Sequence, residues 1–331
     1  MAGTELRMGI VGCGYAARIH LDRLLALKGV RVVGCADSDR AAAEALTTQV
    51  GEAGGQAIAF TDHRELLRQA APQALAIFTP HIAHYRPAMD ALQAGCHVFV
   101  EKPLSTNLQE AVDIVGLARA RGLKVGVGHQ YRLRPSLVEA RRRLAAGAIG
   151  PVRLVTATLA LPWLETHSGT ENSWRFDPKA AGGGILADAG DHLIDALLWT
   201  TGQTAVEVSA VQSRHESGLD LVTAAAIRLV DGTPATLAVS GVSAGSLFEL
   251  NYFGEHGRLR ITDQALLEEH DGQAVETVAA AEPAESIDGN FVAALQGTAA
   301  LCCPADEALD TVRLLEAIAR SVTTAQTVRL I

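Results

Sequence analysis

No run of apolar residues in this chain of 331 approaches the roughly 18 that a membrane-crossing helix requires, which points to a soluble protein. Positive charge is scarce: 28 Lys and Arg stand against 37 Asp and Glu, a formal net charge of −9. That balance argues against a nucleic-acid scaffold, because a polyanion would be repelled. The five cysteines, Cys13, Cys35, Cys96, Cys302 and Cys303, form no Cys-x-x-Cys pair and mostly sit in apolar runs. Reduced, buried thiols are expected. No basic segment with a cleavable apolar stretch precedes Gly9-Ile10-Val11, so the cytoplasm is the expected compartment. His-Glu-x-x-His is absent, and His81-x-x-His84 offers only two ligands, so no metal is expected. Internal repeats are absent as well, and the alanine-rich stretch 279–284 reads as a loop.

What is present is enough apolar sequence, 48% against 20% charged, to bury a substantial core. At about 150 residues per domain the length gives roughly two domains. Up to residue 128 short apolar runs alternate with helical periods, the pattern of a doubly wound parallel sheet. Strands are expected at Leu6–Val11, Val30–Ala36, 57–60, 74–78, His97–Val100 and 124–128. A helix is expected over Leu108–Arg121, where Ala111, Ile114, Val115 and Ala118 share one face. A further helix over 135–146 leads to the Gly150-Pro151 break. Beyond it the pattern becomes α+β: an irregular stretch with Trp163, Trp174 and three glycines, an apolar helix over 185–200, then strands over 206–212, 221–230 and 235–242. Asp231-Gly232 is a hairpin signal and Asp271-Gly272 a further turn. The division expected is 1–128 for a Rossmann domain and 129–331 for a domain built on a large, mostly antiparallel, open-faced sheet with helices on one side. A last helix, from near residue 304, carries an apolar stripe that must be buried.

Gly12-x-Gly14-x-x-Ala17 follows the first strand and opens the first helix, the context that makes this motif informative. Small residues let backbone N–H groups approach a pyrophosphate, whose charge is favoured at a helix N-terminus. Gly12, Gly14, Tyr15, Ala16 and Ala17 are therefore candidate cofactor contacts. Asp37 ends the second strand, 20 residues after Ala17, where a carboxylate can accept hydrogen bonds from a ribose diol. That favours NAD over NADP, although Arg40 is close enough in sequence to neutralise a 2′-phosphate.

Phe99-Val100-Glu101-Lys102-Pro103, the Gly12 loop, Thr79-Pro80, the Gly182–Asp195 segment and the overall length together resemble the Gfo/Idh/MocA family of sugar and cyclitol dehydrogenases. The resemblance implies a catalytic role for Lys102 and for the helix-borne pair Asp188 and His192. Residues four apart share a helix face, so Asp188 can orient His192 and stabilise its protonated form. It also implies cofactor contacts at Thr79, Pro80, His84, Glu101, Lys102, Gln130 and Arg175. His81 departs from the family's asparagine, and Arg132 is equally a structural residue. Lys102, Asp188, His192, Trp163 and Trp174 are the candidate substrate contacts, with Trp163 suited either to a sugar's apolar face or to packing.

The function this implies is reversible hydride transfer between nicotinamide C4 and a secondary alcohol carbon of a sugar, sugar derivative or cyclitol. The hydroxyl proton must leave with the hydride, so a base and a cation are needed. His192 is assigned the first role and Lys102 the second, with lysine as base the alternative. Two other functions stay open: glycoside cleavage through transient NAD-mediated oxidation of the ring, and a non-catalytic dinucleotide sensor. An open antiparallel sheet must be covered or solvated, so a homodimer or homotetramer through that face is expected, with no nucleic-acid or membrane partner.

Overall fold

The computed structural model describes residues 5–168, 173–270, 273, 276–279 and 286–330. The Asp271-Gly272 turn, and all but residue 279 of the alanine-rich stretch, lie outside them. The chain divides into two compact units, 1–128 with 285–309, and 129–284 with 310–331.

The first unit is built on six strands, β1 (Leu6–Val11), β2 (Val30–Ala36), β3 (Ile58–Phe60), β4 (Ala74–Ile77), β5 (His97–Val100) and β6 (Val125–Val127). All pair in parallel, in the order β3-β2-β1-β4-β5-β6. Helices on both faces bury such strands on both sides, and β4 is apolar and buried at every position. The helix Leu108–Arg121 shows how the sequence sets its own ends. Asn107 accepts the Glu110 N–H at the start, Arg119 and Arg121 lie in the last turn, and Gly122 closes it with φ +63°. Residues 285–309 complete this unit. The helix Ile287–Leu295 packs on Tyr15–Ala26, and Cys303 O accepts the Val127 N–H, covering the free edge of β6.

The second unit holds a nine-stranded sheet: β7 (Val152–Ala160), β8 (Ala205–Arg214), β9 (Asp220–Leu229), β10 (Pro234–Ser240), β11 (Leu247–Gly254), β12 (Gly257–Thr262), β13 (Leu266–His270), β14 (Glu276–Val278) and β15 (Val328–Arg329). The order is β14-β13-β12-β11-β7-β10-β9-β8-β15. Every pair is antiparallel except β10 with β7. Alternation decides which face is covered. In β9 and β10, Ala225, Ile227, Leu229, Ala235, Leu237 and Val239 are buried, while Ala224, Ala226, Arg228, Thr236 and Ala238 are exposed. The helix Asp191–Thr201 belongs to the buried core of this unit and is enclosed almost all round. Among the described residues, no helix is long and apolar enough to cross a membrane.

Candidate functional site

In the first unit the strand ladder runs on past the strand ends. Gly12 N–H bonds Ala36 O, Phe78 N–H bonds Val11 O, Glu101 N–H bonds Ile77 O and Gly128 N–H bonds Val100 O. Gly12, Phe78-Thr79, Glu101 and Gly128 are thereby lined up along the carboxyl edge of the sheet, at the reversal of strand order where doubly wound folds bind ligands. Gly12 must be glycine: its φ is +83°, and a Cβ would lie 2.6 Å from the Phe78 and Thr79 backbone.

A dinucleotide fits this edge. The helix Tyr15–Ala26 begins at Gly14 with no side-chain cap and no acid in its first turn. Among the described residues, four other helices of the unit are capped, by Asp39, Asp62, Asn107 and Ser286. The uncapped N–H groups favour an anion. Gly14 opens onto free space, Tyr15 is exposed, and Ala17 is buried. Asp37 stands beside this loop, its Oδ2 accepting the Cys13 N–H at 2.7 Å and its Oδ1 the Asp39 N–H at 2.9 Å. Arg40 is exposed and paired with Glu44 at 2.7 Å. The buried Oγ1 of Thr79 has no hydrogen-bond partner among the described residues, and Pro80 follows it.

His84 is fully buried, its Nδ1 2.8 Å from Pro103 O and its Nε2 3.0 Å from Thr79 O. Burial pushes its pKa down. Its place is a brace between two backbone segments rather than an open contact surface. Glu101 and Lys102 follow β5, and the Lys102–Pro103 peptide is cis. The Cys13 and Cys35 thiols are pushed up by burial, Cys35 to about 12, which removes nucleophilic character.

In the second unit, Asp188 does not lie on a continuous α-helix with His192. Residues Leu186–Gly190 form a π-helical turn, and the α-helix starts at Asp191. Asp220, at the start of β9, fixes this geometry by accepting the Gly184 and Leu186 N–H groups, both at 2.8 Å. Gly184 must lack a side chain, since a Cβ would lie 2.0 Å from Asp220 O. Asp188 Oδ2 accepts from Trp163 Nε1 at 2.7 Å and Arg175 Nε at 2.9 Å. Trp174 lies alongside, with the Arg175 guanidinium 4.4 Å from its ring centroid. Arg175 Nη1 is buried with no partner among the described residues. Trp163 is 2% exposed and packs on Phe176. Of the two readings of Trp163, a sugar contact or packing, its surroundings match packing: the ring is buried, and its N–H serves Asp188.

His192 is stacked on Tyr131, centroids 4.4 Å apart and planes at 10°. The Arg134 guanidinium lies 3.3 Å above the Tyr131 ring centroid. Gln130, on the same turn, is exposed. Arg132 is buried and grips Asp195 with Nε and Nη2, as a structural residue would. His129 bonds Asp191 and lies 3.3 Å from Asp195. Asp191, Asp195, His129, Tyr131 and Asp220 were not among the candidates. The recurrence of aspartate at 188, 191 and 195 in an apolar segment was the available signal. One motif the sequence does contain carries no chemistry here. Gly241-Val242-Ser243-Ala244-Gly245 has nucleophile-elbow spacing but joins strands β10 and β11, and the Ser243 N–H is bonded to Leu161 O.

Two family signatures match this chain: the oxidoreductase family with an NAD-binding Rossmann fold over residues 6–129, and the Gfo/Idh/MocA C-terminal domain over 137–260. The chain belongs to the Gfo/Idh/MocA family. It is an NAD-binding oxidoreductase. Within the family, it is 30% identical over 264 residues to dTDP-3,4-didehydro-2,6-dideoxy-alpha-D-glucose 3-reductase of Streptomyces antibioticus, covering 79% of this chain and 76% of that one. It is 27% identical to D-glucoside 3-dehydrogenase of Escherichia coli over 66% of this chain and 60% of the relative. A Bordetella pertussis dehydrogenase solved with NADH and UDP-GlcNAcA superposes with a TM-score of 0.83 at 23% identity, over 99% of both chains. The α/β plus α+β architecture is that of the family.

Proposed function

We propose that this oxidoreductase transfers hydride between nicotinamide C4 and a secondary alcohol carbon of a sugar, sugar derivative or cyclitol, with NAD preferred to NADP. The observation that carries the reading is Asp188, a buried carboxylate held by Trp163 and Arg175 one π-helical turn ahead of His192. A buried carboxylate is costly unless it is paired and hydrogen-bonded, and Arg175 and the Trp163 N–H are the groups that keep it there.

NAD, when bound, supplies the hydride acceptor at nicotinamide C4. The protein must remove the hydroxyl proton and stabilise the developing alkoxide. His192 is proposed as the base, Lys102 as the cation and Asp188 as the group that sets the histidine's charge state. The pyrophosphate is assigned to the N–H groups at Gly12, Gly14, Tyr15, Ala16 and Ala17, and the adenosine ribose to Asp37. Thr79, Pro80, Glu101, Gln130 and Arg175 are assigned to the rest of the cofactor, and Trp174 to the substrate. Arg40, being engaged by Glu44, is assigned no 2′-phosphate. His84 is proposed to act through Thr79 and Pro103.

The named substrates of several relatives, a nucleotide sugar and a glucoside among them, support the carbohydrate class. We also propose self-association through the outward face of β8, β9 and β10, where Val211 is 70% exposed beside Ala224, Ala226 and Ala238, and a cytoplasmic location.

The test is NADH formation screened against monosaccharides, inositols and simple glycosides, with glycoside cleavage followed in parallel. NADH appearing with one polyol or sugar class supports the reading. Cleavage without net NADH replaces it with redox-assisted hydrolysis, and dinucleotide binding with neither reaction replaces it with a sensor.

A further inference from the structure

His20 lies on the helix Tyr15–Ala26, 4% exposed, with both ring nitrogens facing carboxylates. Nδ1 is 2.6 Å from Asp288 Oδ1 and Nε2 is 3.1 Å from Glu101 Oε1. A neutral imidazole carries one N–H and would turn a lone pair toward one of these oxygens. The ring can donate to both oxygens only as an imidazolium, which carries two N–H groups. Burial disfavours the cation, but hydrogen bonds to Asp288 and Glu101 prevail and lift its pKa to about 9. Phe78 stacks on the ring with centroids 4.5 Å apart, and Phe99 lies against it at 5.5 Å, fixing its plane. Arg23 Nη1 reaches the second oxygen of Asp288 at 3.5 Å, so two cations face two carboxylates.

Glu101 is held at both oxygens. Oε1 faces His20, while Oε2 accepts the Lys102 backbone N–H at 3.0 Å. Gly128 makes room for the carboxylate, because a Cβ there would lie 2.7 Å from Oε1. His84 ties down the far side of the same turn through Pro103 O. The peptide that carries Lys102 is thus fixed from two directions by buried side chains.

We propose that His20, as a buried imidazolium between Asp288 and Glu101, is the positioning residue that holds Glu101 and, through it, the backbone at Lys102. The proposal rests on Lys102 serving the reacting oxygen. Asp288 enters from a segment far along the chain, so residues 285–309 take part in setting the turn after β5.

The test combines a protonation readout with kinetics on the full-length chain. In 15N-histidine-labelled protein, the ring resonances of His20 are assigned by their loss in His20→Gln or, should that variant not fold, by their shift in Asp288→Asn. Both nitrogens are expected to be protonated at pH 7.5. A neutral tautomer at that pH overturns the proposal. In His20→Gln, kcat on the active sugar or polyol is expected to fall about 10- to 100-fold, the scale of a small misplacement of a reacting group, while NADH affinity falls by a smaller factor through the loosened Glu101. Glu101→Gln should add little to the kcat loss of His20→Gln, since the two act on that step through one contact, and its own effect on NADH affinity is read separately. Lys102→Ala separates the two levels. If it is active, the assignment of Lys102 fails and the positioning role fails with it; if it is inactive while His20→Gln turns over normally, the positioning role alone fails.

Discussion

Asp37→Ser tests the cofactor assignment through a ratio. In the folded chain the Asp37 carboxylate accepts the N–H groups of Cys13 and Asp39 at 2.7 and 2.9 Å; Oδ1 also lies 3.5 Å from Ser38 Oγ, while Oδ2 keeps a further lone pair for a ribose hydroxyl. A hydrogen bond to a charged group is worth about 1.5–3 kcal/mol, and about 1.4 kcal/mol is tenfold in affinity. Loss of the ribose contact should therefore weaken NADH by roughly 10- to 100-fold. Serine also leaves the Cys13 N–H without its carboxylate, which loosens the Gly12 loop and weakens every dinucleotide alike. NADPH would suffer that second loss but escape the like-charge contact between its 2′-phosphate and Asp37. The NADH-to-NADPH affinity ratio should accordingly move toward NADPH by about tenfold or more. Fluorescence titration with both cofactors measures it. Equal weakening of the two would show that Asp37 is only a brace for Cys13 and Asp39, and would remove the basis for preferring NAD.

Lys102→Ala should lower turnover by about 10²- to 10⁴-fold with NADH affinity nearly intact; an active variant ends the electrostatic role given to Lys102. Asp220→Asn keeps one acceptor for the Gly184 and Leu186 N–H groups and turns a donor toward the other, so kcat should fall about tenfold or more as the Asp188 turn loosens, and unchanged kcat would detach Asp220 from the site. His20 has a folded pKa of about 9, above its ordinary 6.5, so its stabilisation is complete below about pH 6.5 and is lost as pH rises through 9. Thermal midpoints should fall across that window in the wild type and less steeply in His20→Gln, whereas parallel profiles would refute the imidazolium. Scattering should find a dimer or larger, and Val211→Lys should shift it toward monomer; a monodisperse wild-type monomer removes the sheet-face proposal.

Much of the first unit was legible because parallel strands covered on both sides need unbroken apolar runs, and Ala74–Ile77 and His97–Val100 show them plainly. The Gly12 turn was legible for a different reason: a φ of +83° and a backbone 2.6 Å from where a Cβ would stand admit no other residue. In the second unit burial alternates along β9 and β10, with one face covered and one open. The hairpin at Asp231-Gly232 joins those strands, with Gly232 at φ +91°.

The backbone between Asp188 and His192 shows where spacing stops being a guide to local geometry. Four residues place two side chains on one face only if the intervening backbone is α-helical. Here three glycines and the carboxylate of Asp220 draw the 184–186 backbone toward β9, and Leu186–Gly190 takes the wider π turn instead. Asp220 is 32 residues from Asp188 in sequence, so no local pattern could have announced it. The same holds more strongly for His20 and Asp288, which meet across 268 residues. Alone, each reads as an ordinary polar residue on a helix. Only the return of 285–309 to the first unit supplies the second carboxylate, and with it the argument that the ring must be charged. Contacts of that kind are set by topology, and they govern the charge state of the groups that the motifs merely name.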